Sequence, residues 1–337
     1  MTLSTSSRFQ LTPDLNICRI LNGMWQVSGT HGQVDPKRAI EEMFSYHGAG
    51  FTTWDLADHY GPAEDFVGAF RGQFAARYGV ERLSEIQAFT KWVPHPGRMT
   101  RRAVEDAVAV SLSRMGVDCL DLLQFHWWDY GDPSYLDALG HLADLHHEGK
   151  IRRLALTNFD TERLRIIADH GIPIVSNQVQ YSIVDRRPEI RMAAFCRDHG
   201  IALLTYGTLL GGLLSEKYLR PEPTRPELDT ASLRKYKNMI DAWGGWRLFQ
   251  ELLGVLKRIA DKHRASIANV SLRYILDRPA VAGVIVGARL GVTQHIADNA
   301  RVFSLLLDGN DLSAIEGVLR QSRDLMQVIG DCGDEYR

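Results

Sequence analysis

Four residues of types that move protons stand at or just beyond the ends of apolar runs. Asp55 closes "FTTWD" (51–55), and Tyr60 follows in "LADHYG". Lys91 lies near the end of "EIQAFTKWV" (85–93), and His126 near the end of "CLDLLQFHW" (119–127). Taken singly, each has an ordinary explanation: a capping Asp, a packed Tyr, a solvated Lys, a structural His. Together they do more. A buried Lys ammonium beside an Asp carboxylate is satisfied. Placed near a tyrosine hydroxyl, that ammonium favours the phenolate and lowers a pKa that starts near 10. Such a tyrosine serves as general acid toward a carbonyl oxygen. A histidine facing it can hydrogen-bond and orient the same oxygen.

Convergence of these groups requires a scaffold that brings strand ends to one rim. Along the chain, short apolar runs alternate with amphipathic stretches. The expected strands are 19–27, 51–55, 85–93, 119–127, 151–159, 174–182, 201–207 and 281–288. Helices are expected at 35–50, 63–74, 100–116, 134–150, 161–171, 187–200, 247–263, 266–277 and 293–304. Asp35 reads as an N-cap before Pro36, and Gly116 as a stop signal. Val104, Ala107, Val108, Leu112 and Met115 share one helical face.

Eight strands separated by helices predict a parallel sheet with right-handed crossovers, and this chain length suits a closed (β/α)8 TIM barrel. A doubly wound open sheet would carry G-x-G-x-x-G after an early strand, and no expected strand is followed by one. Residues 9–20 read as a hairpin able to plug the barrel bottom, 208–246 as a long seventh connection, and 306–337 as a helical C-terminal extension. The core would span about 15–305 of a single domain, 1–337. Alternation puts Asp55 with Thr53 and Phe51, Lys91 with Phe89, and His126 with Gln124 and Leu122; Trp54 then faces the helices.

Composition narrows the function. The 337 residues are 45% hydrophobic and 24% charged, with a net charge of −2. Nothing favours nucleic acid or an anionic membrane surface. No apolar run reaches the roughly 18 residues of a membrane span, and the N-terminus lacks a secretory pattern. The four cysteines, Cys18, Cys119, Cys196 and Cys332, form no C-x-x-C pair and no zinc spacing. A reduced, cytoplasmic, monomeric protein acting on a small molecule, with no metal, is the expectation.

At this point the sequence resembles the aldo-keto reductase superfamily. The segments that carry the likeness are "GFTTWDLADHYGPAEDFVG", "FTKW", "SLSRMGVDCLDLLQFHWWD", "LALTNF", "VSNQVQYS", "TYGTLLGGLLSEKY" and "VIVGARLGVTQHIADN". They run in the family's order from about Arg19 to Phe303. The resemblance implies a catalytic tetrad of Asp55, Tyr60, Lys91 and His126, and NAD(P)H bound across the barrel mouth. Thr157, Asn158 and Gln178 would hold the nicotinamide carboxamide, and Tyr206 would stack on the ring. Gly207, the backbone around Leu209 and Gly212, and Lys217 would meet the pyrophosphate. Gly287, Arg289, His295, Asp298 and Asn299 would grip the adenosine half.

The chain departs from its relatives in places. Thr157 stands where many have Ser. Gly207-Thr208-Leu209 stands where many have Ser-Pro-Leu. Two residues appear inserted around 287–299, so a position often Arg or Gln falls on His295 or Gln294. Arg289 still offers a cation to a 2′-phosphate, which favours NADPH over NADH. Trp25, His59, Trp92, Trp127 and Trp128 are the expected substrate pocket, with Trp243 and Trp246 on the seventh connection able to fold over it; for any one tryptophan the alternative is rim packing. The expected reaction is NADPH-dependent reduction of an aldehyde, ketone or sugar carbonyl. An NAD(P)+-dependent sugar or alcohol dehydrogenase and a cofactor-sensing regulatory subunit stay open as alternatives. The tail 329–337 is either disordered or closes the pocket.

Overall fold

The alternating runs close on themselves. In the computed structural model, which describes residues 3–29, 34–220, 228 and 230–336, a hairpin comes first: β1 (Arg8–Thr12) pairs antiparallel with β2 (Leu15–Cys18). Then follow β3 (Ile20–Gly23), β4 (Thr53–Asp55), β5 (Gln87–Trp92), β6 (Leu122–His126), β7 (Leu154–Thr157), β8 (Ile174–Gln180), β9 (Ala202–Tyr206) and β10 (Val281–Gly287). These eight are parallel and form a closed barrel, with β10 pairing back onto β3. Closure leaves no sheet edge to protect.

The barrel interior is layered. Near the strand starts, Leu21, Phe89, Leu122, Ala155, Leu204 and Ala282 pack with Leu15 and Ile17 of the hairpin. The hairpin is therefore the expected plug, and it seals the apolar end. Two residues further along β5, β6, β7 and β9 come Lys91, Gln124, Thr157 and Tyr206, and β5 and β6 pair with Lys91 beside Gln124. The outer faces pack on the helices. Trp54, fully buried, lies 6.0 Å from the ring of Tyr46 and 6.1 Å from that of Phe70. Truncating so large a buried side chain costs about 3–5 kcal/mol.

Local signals explain where helices start and stop. The Asp35 side chain accepts from the Lys37 amide at 3.0 Å, ahead of Pro36. Thr100 caps the helix Arg101–Met115, and Gly116 ends it at φ 62°. Three expectations were too coarse. The strand expected over 19–27 stops at Gly23 and gives way to a 3-10 turn, Trp25–Val27. The helix expected over 187–200 is a 3-10 turn, Arg187–Glu189, followed by Met192–Asp198. The seventh connection carries 3-10 turns at Leu210–Gly212 and Glu216–Tyr218 and a helix at Ala231–Trp243; most of its Pro-rich stretch, 221–227 and 229, lies outside the described residues.

The C-terminal extension contains helices Gly309–Leu319 and Leu325–Val328. Beyond them, the last residues are tied down. The fully buried Arg187 guanidinium donates to both oxygens of Asp185 at 2.8 Å and to the Asp331 carbonyl at 3.0 Å, and it pairs with Glu335 at 3.0 Å. Asp331 accepts from the Thr161 amide at 3.0 Å, capping from a distance a helix that Asp160 also caps. Burial works against the Arg187 charge, but Asp185 and Glu335 outweigh it and push its pKa upward.

Arg187→Met therefore leaves the Asp185 carboxylate buried without its cation. The expected loss of stability is about 3–5 kcal/mol, read as a fall in the urea midpoint. Limited proteolysis is expected to cut near residue 330 before the barrel opens.

Candidate active site

The polar layer of the barrel gathers the residues expected from the strand ends. Asp55 ends β4, Lys91 is the penultimate residue of β5, and His126 ends β6; all three are buried. Lys91 Nζ donates to Asp55 Oδ1 and Oδ2 at 2.8 Å each and to the Leu56 carbonyl at 2.9 Å. Tyr60, half-buried in the loop after β4, places its ring centroid 5.2 Å from Lys91 Nζ. Burial presses the Lys91 pKa downward, while the charge and hydrogen bonds of Asp55 and the charge of Asp58 push back. An Nζ that meets three acceptors is the donor set of an ammonium. Asp55, Lys91 and Tyr60 are thus brought together, and His126 ends the neighbouring strand β6.

The neighbouring rim carries the nicotinamide residues expected from the resemblance. Thr157 ends β7 and pairs in register with Gln178 of β8 and with His126 of β6. Its Oγ1 is buried and lacks a hydrogen-bond partner among the described residues. A buried hydroxyl oxygen left so is a place for a ligand amide. Asn158 follows with φ 59°, a left-handed conformation that Asn tolerates, and its Oδ1 accepts from the Tyr206 hydroxyl at 2.8 Å. Gln178 is turned inward: its Nε2 donates to Asp55 Oδ1 at 2.7 Å.

Beyond Tyr206 the backbone bends sharply, with positive φ at Gly207, Leu210, Gly211 and Gly212. Gly207 is needed there twice over. Its φ is +68°, and a Cβ would stand 2.5 Å from the Tyr236 hydroxyl. The Leu209 carbonyl accepts from the Gly212 amide at 2.9 Å, and Lys217 is exposed. On the far side, Gly287 ends β10, and Arg289 and His295 are exposed. Asn299 is buried. The Asp298 carboxylate is engaged internally, accepting from Ser266 at 3.2 Å and from Asn269 at 3.3 Å. The orphaned Thr157 oxygen, the glycine bend and the exposed Arg289 fit a bound dinucleotide.

The aromatic residues divide. Trp25 is 39% exposed and meets Tyr60 edge-on at 5.0 Å, with His59 at 4.9 Å from Tyr60. Trp128 is 40% exposed, with its ring centroid 4.3 Å from that of His126. These three flank the tetrad as expected. Trp92 and Trp127 do not. They follow Lys91 and His126 by one residue, so the strand period turns them outward onto Phe125, at 5.5 and 5.9 Å. Trp127 donates its Nε1–H to the Asp129 and Asp132 carbonyls. Trp243 is likewise core, and Trp246 packs at a tilt beside Phe249 at 5.2 Å.

A closed (β/α)8 barrel with an Asp–Lys pair beside a tyrosine, a histidine ending the next strand and a glycine bend after β9 is the frame of a barrel oxidoreductase. A sequence profile of the Aldo/keto reductase family matches residues 19–320, and the chain belongs to that family. Among its relatives, an aldo-keto reductase of Strobilurus tenacellus is 28% identical over 88% of this chain and 85% of its own length. The NADH-specific methylglyoxal reductase of Escherichia coli is 24% identical over 89% and 94%. Among solved structures, the glycerol dehydrogenase of Gluconobacter oxydans superposes with a TM-score of 0.76 at 22% identity, covering 97% of this chain and 98% of that one. An aldo/keto reductase of Klebsiella pneumoniae in complex with NADP and acetate gives 0.69 at 20% identity, covering 93% and 95%. The protein is an oxidoreductase of a family that uses NAD(P)H on small carbonyl compounds. Among the described residues no cluster of metal-ligating side chains occurs, and no helix is long and apolar enough to cross a membrane.

Some rim residues escaped the sequence reading. Lys235, on the helix of the seventh connection, sets its Nζ 5.6 Å from the Tyr206 ring centroid and 5.4 Å from that of Tyr236. The Tyr206 hydroxyl lies 3.4 Å from Glu335 Oε1. Helical periodicity shows Lys235 only as one charge among several, and nothing local links residue 335 to residue 206.

Burial pushes the Lys235 pKa from 10.5 down to about 8, against the charges of Glu335 and Asp185. Between those two values the unfolded chain holds a proton that the folded protein has released, so this group's contribution to stability rises with pH. The thermal midpoint of wild type relative to Lys235→Met is expected to climb from pH 7.5 to 10. A difference that stays flat or falls contradicts the assignment.

Proposed function

We propose that the protein reduces an aldehyde, ketone or sugar carbonyl with NADPH, and that Tyr60 is the general acid. The observation that carries this is the buried Lys91–Asp55 pair with its Nζ 5.2 Å from the Tyr60 ring. Lys91 favours the charged phenolate, so Tyr60 gives up its proton to the substrate oxygen more readily. Asp55 holds Lys91 in place and keeps it charged. His126, with Trp128 against its ring, orients the carbonyl oxygen. Trp25 and His59 form the opposite wall of an aromatic slot. Thr157, Asn158 and Gln178 would hold the nicotinamide amide, and Tyr206 its ring; the bent backbone from Gly207 to Gly212, with Lys217, would lie along the pyrophosphate. Gly287, His295, Asp298 and Asn299 would hold the adenosine half. The cofactor, when bound, supplies the hydride. In the reverse direction Tyr60 accepts the proton from an alcohol, so the same residues serve an alcohol or sugar dehydrogenase.

Arg289 is an exposed cation among the expected adenosine residues, and a guanidinium suits a 2′-phosphate. This supports NADPH over NADH. The hairpin, barrel and C-terminal segment share continuous cores, which supports reading 1–337 as one domain. With no membrane or nucleic-acid signal in the sequence, a monomer acting on a small molecule in the cytoplasm is the simplest reading.

NADPH and NADH consumption against a panel of aldehydes, ketones and sugars tests the reading. Wild type is expected to turn over. Tyr60→Phe is expected to lose about 10²–10⁴-fold in kcat while its NADPH dissociation constant, read by tryptophan fluorescence, stays within about twofold. Equal activity in the two proteins removes Tyr60 from the acid role. Arg289→Ala is expected to raise the KM for NADPH about tenfold and leave that for NADH unchanged, about 1.4 kcal/mol of lost phosphate contact.

A further inference from the structure

Asp55 is held by more than its lysine. Its Oδ1 accepts from Lys91 Nζ at 2.8 Å, from Gln124 Nε2 at 2.9 Å and from Gln178 Nε2 at 2.7 Å. Gln124 Oε1 in turn accepts from Gln178 Nε2 at 2.6 Å. Only an amide NH₂ can face a carboxylate at these distances, so the chemistry fixes which end of each amide points inward. Gln124 is fully buried, Gln178 nearly so, and Gln124 stands beside Lys91 in the β5–β6 register. Gln124 stands one layer above Leu122 of the apolar plug, and Gln178 one layer above the buried Ser176. An amide buried there is favourable only with its hydrogen bonds made.

The clamp has a geometric consequence. A carboxylate's terminal torsion is soft. A lysine alone would leave Asp55 free to swing one oxygen away from Nζ. Two amides on Oδ1 fix the carboxylate plane, and both oxygens then meet Lys91. Because the Gln178 Nε2 is committed downward to Asp55 and Gln124, its Oε1 becomes the end left for a ligand amide.

We propose that Gln124 is a positioning residue for proton transfer: wedged between Asp55 and Gln178, it fixes the carboxylate that carries Lys91 and sets the orientation in which Gln178 meets the cofactor amide. The inference rests on the tetrad reading given above. It places the proton-transfer groups and the cofactor rim on one hydrogen-bonded unit, Lys91–Asp55–Gln124–Gln178.

A double-mutant cycle tests it in the full-length protein. Wild type, Gln124→Met, Asp55→Asn and the double variant are compared in kcat and in NADPH dissociation constant, the latter by tryptophan fluorescence without substrate. Gln124→Met is expected to lower kcat at least tenfold and to weaken NADPH several-fold. In the Asp55→Asn background the same substitution is expected to change kcat less than twofold, because Gln124 reaches proton transfer through Asp55; its effect on NADPH, carried by the hydrogen bond to Gln178, is expected to fall below twofold in a Gln178→Met background. A packing role would give the same loss in every background, and that outcome overturns the proposal. Gln124→Asn, which keeps an amide but shortens its reach, replaces Gln124→Met should the latter not fold. If wild type turns over no carbonyl or alcohol, the tetrad reading fails, and the cycle is decided on the NADPH dissociation constants alone by the same comparison.

Discussion

The Lys91–Asp55 ion pair sits inside the barrel, where moving two charges out of water costs several kcal/mol per ion before any attraction is counted. Such a pair is tolerable only when its remaining lone pairs and protons are satisfied. The barrel satisfies them all from its own interior: a backbone carbonyl for the third lysine proton and two amides for the carboxylate. This requirement shapes the sequence around it. Four strands must supply polar side chains to it, and two of them, β5 and β6, return to apolar residues, Phe89 and Leu122, one layer below. The hairpin then closes the apolar end, which keeps water from reaching the pair from beneath.

Strand periodicity accounts for much of what the rim presents. Inward and outward positions alternate, so a functional side chain and a structural one are separated by a single residue. Lys91 and Trp92 differ in this way, as do His126 and Trp127. The side chain inside the barrel joins the polar layer proposed for chemistry, and its neighbour packs into the outer core. The exposed Trp128, one step further, returns to the site beside His126.

Much of this was legible in the sequence because the signals are local. Asp35 before Pro36, Gly116 after its helix, and the apolar strands ending in Asp55, Lys91 and His126 each depend on a few consecutive residues. The pocket tryptophans were misjudged where composition was weighed without the strand period; applied consistently, alternation turns Trp92 and Trp127 outward. Gln124 was visible as a polar residue on an inward face, but its partners come from β4 and β8, and only closure of the barrel reveals them. The binding of the tail by Arg187 was not legible at all. Its partners in the tail are 143 residues or more away in sequence, and a buried arginine reads like any surface one.

The tail's anchorage bears on how the protein is made. Arg187 and Asp185 lie near the middle of the chain, yet one of the carboxylates that balance Arg187 belongs to residue 335. Tyr206, too, reaches that carboxylate. During synthesis the barrel strands are all available well before residues 330–336 leave the ribosome. The rim around Tyr206 thus depends on a segment far along the chain, and a closed barrel carries an under-compensated guanidinium until that segment docks.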